Sequence, residues 1–479
     1  MPDLPAPCAR GRPAGRMLRL VDEALVTVVW LCHGSAAAAT SSNCCRPRRP
    51  WAMAELSTPH AVLRRPPGQL LPPPLRIAVV TETYPPEVNG VAMTVARLVQ
   101  GLCTRGHQLQ LVRPRQHRYE QPGAGGLDEL LLRGLPIPRY PQLKMGLPAT
   151  GALWAHWQQR RPDLVHIATE GPLGWSALRA ARRLQLPVTS DFRTNFQAYS
   201  QHYGIGWLQR PIVGYLRSFH NRTQATMVPT PVLQRALVRQ GFENVSVVAR
   251  GVDTRHFSPD RRNLSLRASW GASDSTCVVA HVGRLAPEKN LGLLVQAFEA
   301  MRRVRPDSLL LLVGDGPARA DLQARCPGAV FAGMRRGDDL AAHYASADAF
   351  VFPSMTETYG NVTPEAMASG LPVLAYDHAA AGELIDHQQN GLLARLGDAE
   401  HFVALAAQLA AKPGHALAWG EQARRTTLAC QWDEVVAQVE GLMRTALNRH
   451  ASAVALSSGG STMEAHAANA LHRTRTPRG

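Results

Sequence analysis

No apolar run in this 479-residue chain reaches the roughly 18–20 residues that a helix needs to span a bilayer, so an integral helical membrane protein is not expected. No Cys-x-x-Cys occurs. Cys8, Cys32, Cys44 and Cys45 fall in the first 45 residues, and Cys103, Cys277, Cys326 and Cys430 are scattered. That usage fits reduced cytosolic thiols, not zinc ligands or a disulfide framework. Aromatic residues make up 6% of the chain and are not interleaved with a dense Lys/Arg run, so the stacking grooves of nucleic-acid proteins are not expected. Acidic residues are in deficit, 36 against 52 basic ones, for a net charge of +16. Residues 1–52 hold +4 of this and residues 449–479 hold +3, which leaves +9 for the middle. With nucleic acid set aside, the charge points to anionic substrates or an anionic membrane surface. The run "ALVTVVWLC" (24–32) faintly resembles a signal-peptide core, but Asp22 and Glu23 stand where a positive charge belongs. A cytoplasmic protein is therefore expected, with peripheral contact to the inner face of a membrane left open by its charge.

Residues 1–75 mix Arg, Pro and Ala without periodicity and are expected to be unstructured. Met53 offers a second start, so residues 1–52 are expected to be dispensable. The tail from 449 to 479, with "SSGGST", is expected to be unstructured too.

Between these ends the pattern changes. "RIAVVT" (76–81), a turn-rich loop, the helical period of "VAMTVARLVQGLCTRGH" (91–107) and "QLQLV" (108–112) form a strand–helix–strand unit of a parallel sheet. Further strands are predicted at 163–168, 187–192, 225–230 and 245–249. "RGVDTRHFSPDRRNLSLRASWG" (250–271) breaks the pattern and is expected to be a linker. A second series follows at 277–283, 308–314, 329–333, 348–354, 371–377 and 391–396. The fold class is thus α/β, two doubly wound domains in tandem, and ligands are expected at the carboxyl ends of the strands, in the cleft between the domains.

Three stretches carry chemistry. "HVGRLAPEKN" (281–290) sets Arg284 and Lys289 past a strand end and the Gly283 turn, where a cation pair suits a diphosphate. "VGDGP" (313–317) lacks a third glycine at dinucleotide-binding spacing and is expected to be a tight strand-to-helix turn. "FPSMTETYGNVTPEAMASGLPV" (352–373) places Glu357 in a loop and Glu365 in the first turn of a helix that begins near Thr363. Two carboxylates beside a phosphate site do not bind phosphate; they suit the hydroxyls of the two sugars that flank a diphosphate. The alternative is that Glu365 is a favourable helix N-terminal charge and Glu357 a surface residue.

In that order and spacing these stretches, with "TYPPEVNGVAMTVARLVQGLCTRGH" and "ARGVDTRHFSP", resemble the family 4 retaining glycosyltransferases of the GT-B fold over about residues 76–445. Within the family the resemblance is to bacterial enzymes that move mannose from GDP-mannose, or a sugar from a UDP donor, onto lipid-linked or glycan acceptors. It implies an acceptor-side domain at 76–250, a nucleotide-sugar domain at 251–430 and a helix at 431–448 that crosses back. It implies that Arg284 and Lys289 hold the donor diphosphate, that Glu365 binds ribose and that Glu357 binds the transferred sugar. Thr358 and Tyr359 belong to the same donor loop, and the amides around Gly360 and Asn361 face phosphate. Gly90 lies in the first-domain loop over the donor, and Met334 contacts the base. Where many relatives carry a His in a "HT" dipeptide, this chain has Arg193; His166 lies nearby in the topology, as an acceptor-side residue or equally a structural His at the strand end, and Arg193 could instead bind an anionic acceptor. No cofactor is expected. No Asp-x-Asp occurs, so no metal clamp is expected either, and the two cations take over charge stabilisation. A nucleotide-sugar epimerase or a phosphorylase on the same architecture is the competing class.

Overall fold

The computed structural model describes residues 73–473, apart from residues 88, 118, 124–126, 138–139 and 194–208; from residue 456 onward only the backbone is described. The expectations for residues 1–72 and 474–479 lie outside these.

The first series of apolar runs forms β1 (Arg76–Val80), β2 (Gln108–Pro114), β6 (Leu164–Ile167), β7 (Val188–Asp191), β8 (Ala225–Val228) and β9 (Val245–Val247). With β3 (Asp128–Leu132) they make a parallel seven-stranded sheet in the order β3-β2-β1-β6-β7-β8-β9. The residues of β1 from Ile77 to Val80 are fully buried, as expected for a strand covered on both faces. Helix Gly90–Thr104 covers one face: Asn89 caps it by accepting from the Ala92 amide at 2.8 Å, and Ala92, Val95, Leu98, Val99 and Leu102 form its buried stripe.

The second series forms β10 (Cys277–Val282), β11 (Ser308–Val313), β12 (Val330–Gly333), β13 (Ala349–Phe352), β14 (Val373–Tyr376) and β15 (Gly391–Ala394), also all parallel, in the order β12-β11-β10-β13-β14-β15. Strand β3 and the antiparallel hairpin β4 (Gly134–Ile137) with β5 (Tyr140–Gly146) were not expected. The five-residue "DELLL" lacks alternation and sits at a sheet edge, and Pro136 and Pro141 interrupt the hairpin pattern.

Two expectations need correction. Residues 258–271 are not free linker: helix Leu264–Ser269 packs on the second sheet, and the Arg267 side chain is buried among its loops. The charged, turn-rich composition hid this because the stretch is held by hydrogen bonds and not by an apolar stripe. The C-terminal helix runs Trp432–Arg473, past the boundary expected at 448. Ala-rich flanks on either side of "SSGGST" favour helix, and no proline intervenes before Pro477. This helix joins the core of the first sheet through Val436, Val439, Met443 and Ala446. Gly101 makes that approach feasible, since a Cβ there would lie 2.5 Å from Val436 Cγ2.

In each sheet the strand order reverses once, between β1 and β6 in the first and between β10 and β13 in the second. Crevices open at such switch points, beyond the carboxyl ends of the flanking strands. In the second domain those are the loops 283–289 and 353–361, which carry the sequence-predicted cations and Glu357.

Candidate active site

The loop after β10 turns at Gly283, and a Cβ at Gly314 would lie 1.9 Å from the Gly283 carbonyl oxygen. "VGDGP" is thus the tight turn expected, and its glycines allow the backbone after β11 to press against the Arg284 loop. Beneath lies His281, fully buried, with Nδ1 3.1 Å from the Val351 carbonyl. Burial lowers its pKa to about 4, so the ring is neutral and ties β10 to β13.

Arg284 and Lys289 both lie close enough to Glu357 for their charges to act on it, and neither is a bare cation. Each is matched to a carboxylate: Arg284 to Glu288 and Lys289 to Glu357. The short 3-10 turn Pro287–Lys289 brings Glu288 back under Arg284. Lys289 Nζ also lies 5.8 Å from the Phe352 ring centroid. Ser354 Oγ donates to Glu357 Oε1 at 2.8 Å, and Thr356 Oγ1 donates to the Glu288 carbonyl at 3.2 Å, so the two switch-point loops are stitched together. Burial alone would raise the pKa of Glu357, but the Lys289 ammonium and the Ser354 hydrogen bond outweigh it and hold the carboxyl below its ordinary range.

Gly360 has φ +86°, a conformation that favours glycine, and a Cβ there would meet Glu357 Cγ at 3.2 Å. Asn361 stands at the start of the helix Val362–Ala368 without a side-chain capping hydrogen bond. Its side-chain amide nitrogen would lie 3.6 Å from a Cβ at Gly90, so the first turn of the first-domain helix and the loop 353–361 face each other across the cleft. Glu365 is part-buried on that helix and accepts from the Tyr344 hydroxyl at 3.0 Å. Burial raises its pKa to about 7 despite this hydrogen bond.

The first domain brings Arg193 to the same place: its carbonyl accepts from Thr358 Oγ1 at 3.3 Å. The guanidinium, however, is bound to Asp191, and His166 Nε2 approaches Asp191 at 3.4 Å. His166 is fully buried, with Nδ1 3.0 Å from Thr189 Oγ1. Arg193 is thus paired with Asp191, and His166, fully buried, lies on the other side of Asp191. Tyr359 is buried and donates to the Arg250 carbonyl at 3.2 Å. Met334 follows β12, the edge strand of its sheet, and is 51% exposed. The structure thus gathers Gly90, Arg193, Gly283, Arg284, Lys289 and Glu357 to Asn361 about one cleft, and it shows no contact of Met334 with them. Sequence reasoning missed Asp191, Arg250, Glu288 and Tyr344. Only Glu288, four residues after Arg284, left a local signal.

Two parallel doubly wound domains that meet at their switch points, with cations and carboxylates in the cleft, are the architecture of the GT-B fold. Residues 88–256 match the family model described as Glycosyltransferase Family 4, and residues 276–412 match Glycosyl transferases group 1. The chain is 36% identical over 372 residues to a GDP-mannose-dependent alpha-mannosyltransferase of Mycobacterium tuberculosis, covering 77% of this chain and 96% of that one. It is 27% identical over 337 residues to an alpha-monoglucosyldiacylglycerol synthase of Streptococcus pneumoniae, covering 67% and 75%. Among solved structures, sucrose-phosphate synthase of Thermosynechococcus elongatus shares the fold with a TM-score of 0.63 at 19% identity, over 78% of this chain and 98% of that one. The chain belongs to the group 1, family 4 glycosyltransferases.

Proposed function

We propose that the enzyme transfers mannose from GDP-mannose, with retention of configuration, to a lipid-linked or glycan acceptor. The observation that carries this reading is the meeting of Arg284, Lys289 and Glu357 at the second-domain switch point, in a chain 36% identical to a GDP-mannose-dependent enzyme. On arrival of the donor, its diphosphate takes Arg284 from Glu288 and Lys289 from Glu357. The exchange leaves Glu357, a carboxylate at neutral pH, free to accept hydrogen bonds from the hydroxyls of the transferred sugar. Gly360 and Asn361 face the phosphates with their amides, Gly90 closes over them from the first domain, Thr358 and Tyr359 complete the loop, and Met334 flanks the base. As the glycosidic bond breaks, negative charge grows on the leaving diphosphate, and Arg284 and Lys289 stabilise it. Among the described residues no helix is long and apolar enough to cross a membrane. The positive charge of the chain favours peripheral contact with an anionic bilayer, where a lipid acceptor would be met.

Hydrolysis measured across a panel of GDP- and UDP-sugars tests the donor. GDP-mannose is expected to turn over fastest; a preference for UDP-glucose would replace this reading with that of a glycolipid synthase, which the likeness to the S. pneumoniae enzyme favours.

Glu365 is assigned to the ribose hydroxyls. Glu365→Ala is expected to weaken donor affinity roughly tenfold or more, the scale of a 1.5–3 kcal/mol hydrogen bond to a charged acceptor. Its pKa, raised to about 7, makes the ionised acceptor form fade as pH falls through neutrality. Wild-type donor affinity is therefore expected to fall between pH 8 and pH 6, while Glu365→Gln stays flat. Parallel titration curves for the two proteins would remove Glu365 from the ribose.

A further inference from the structure

The two ion pairs at the second-domain switch point are not equivalent. Lys289 is paired with Glu357, whose carboxylate also accepts from Ser354 Oγ at 2.8 Å. When a diphosphate draws Lys289 away, Glu357 keeps that hydroxyl and gains those of the sugar. Arg284 is paired with Glu288, and among the described residues no other group is bonded to the Glu288 carboxylate. A diphosphate that draws Arg284 away leaves Glu288 without a partner. Glu288 is 6% exposed, so water does not take its place. Removing one partner of a buried pair leaves an unmatched charge and is strongly unfavourable.

The backbone holds Glu288 where it is. It lies in the three-residue turn Pro287–Lys289, between the buried Ala286 and Asn290, whose φ of 54° is left-handed. Thr356 Oγ1 donates to its carbonyl from across the switch point. Arg284 is only partly satisfied by this pair: its Nε is buried and has no hydrogen-bond partner among the described residues. The guanidinium thus has a donor left for an entering anion but is already bound to a fixed internal one. Such an arrangement hinders binding and helps release. Cleavage leaves the electron pair of the sugar–oxygen bond on the terminal phosphate, so the departing nucleoside diphosphate carries more negative charge than the donor did. Two cations with no competitor would hold the product more tightly than the substrate. Product release sets the turnover of many enzymes.

We propose, on the basis of the glycosyltransfer reading above, that Glu288 is a positioning residue that competes with the diphosphate for Arg284 and so speeds release of the nucleoside diphosphate product. It acts through Arg284 and touches neither substrate. A residue that merely braced Arg284 would have the opposite effect, because its loss would weaken diphosphate binding.

The test titrates GDP into the full chain and its variants by calorimetry. Glu288→Gln keeps the shape of the side chain and removes its charge. It is expected to bind GDP roughly tenfold more tightly than the wild type, the low end of what a bond to a charged partner is worth. Equal or weaker binding overturns the proposal. Glu288→Asp keeps the charge and is expected to stay near the wild-type affinity; tightening as large as that of Glu288→Gln overturns the competition. In an Arg284→Ala background the gain from Glu288→Gln is expected to vanish. A gain that persists there means that the carboxylate acts on the phosphate directly and not through Arg284, which overturns the assignment. Displacement of a fluorescent GDP analogue by excess GDP, followed by stopped flow, is expected to slow in Glu288→Gln by the factor by which affinity rises, and an unchanged dissociation rate overturns the role in release. The same titrations with UDP separate this proposal from the donor reading. If UDP binds and GDP does not, the donor assignment fails, and the effect of Glu288 is read on UDP with the same outcomes.

Discussion

Lys289→Ala is expected to lower kcat about 100- to 1000-fold, the usual cost of removing one preorganised group that stabilises developing charge. Lys289 stands where the β10 and β13 loops meet, and its Nζ is paired with Glu357. The loss should show in kcat as well as in donor KM, because the leaving diphosphate carries more charge in the transition state than in the ground state. Arg284→Ala should behave alike, and Arg284→Lys should recover only part of the loss, since the ammonium lacks the planar fork. The Glu357 carboxyl loses its main counter-charge in Lys289→Ala, so its pKa should rise and the acid limb of any residual activity should move to higher pH. Far-ultraviolet circular dichroism should stay native, because the pair lies in loops at the cleft. A folded Lys289→Ala protein with full kcat would refute the leaving-group role.

The second large effect concerns stability. Arg267, 2% exposed on the helix Leu264–Ser269, donates from Nη1 to the Ser346 carbonyl at 2.8 Å and to Asp348 Oδ2 at 2.9 Å. From Nη2 it donates to the Ser273 and Thr276 carbonyls at 3.0 and 2.8 Å. Arg267→Ala leaves the Ser346, Ser273 and Thr276 carbonyls without this donor, while Asp348 keeps Arg262 and the Val278 amide. Each buried acceptor left unsatisfied costs about 1–3 kcal/mol. The denaturation midpoint of the second domain, followed by tryptophan fluorescence in urea, should drop accordingly, and Arg267→Lys should not restore it, because one ammonium cannot reach four acceptors in a plane. An unchanged midpoint would show that the helix is a peripheral appendage, as the linker reading of the sequence had it.

How much of this was visible in advance varied with the kind of interaction. The twelve apolar runs became strands because a β-rich run of four to six residues, buried on both faces, has no other low-energy place in such a chain. "DELLL" was missed because β3 is an edge strand, part-covered and charged, where periodicity carries little information. Arg284, Lys289, Glu357 and Glu365 were legible as functional candidates because they follow strand ends and glycine turns in a recurrent order. Their partners were not. Glu357 and Lys289 are 68 positions apart, Tyr359 and Arg250 are 109 apart, and Thr358 and Arg193 are 165 apart.

The sequence by itself determined the two parallel sheets and which loops carry charge, since both follow from local hydrophobic pattern and turn chemistry. Tertiary structure decided the charge pairing. β10 and β13 lie side by side only because the sheet reverses its order between them, and that brings Glu357 to Lys289. The fold likewise assigned Asp191 to Arg193 and set Arg250 against the Tyr359 ring, near the Asp191 and Glu357 carboxylates. A charge depends on everything within a few ångströms, whatever its distance along the chain, so only the folded cleft shows which carboxylate each cation meets.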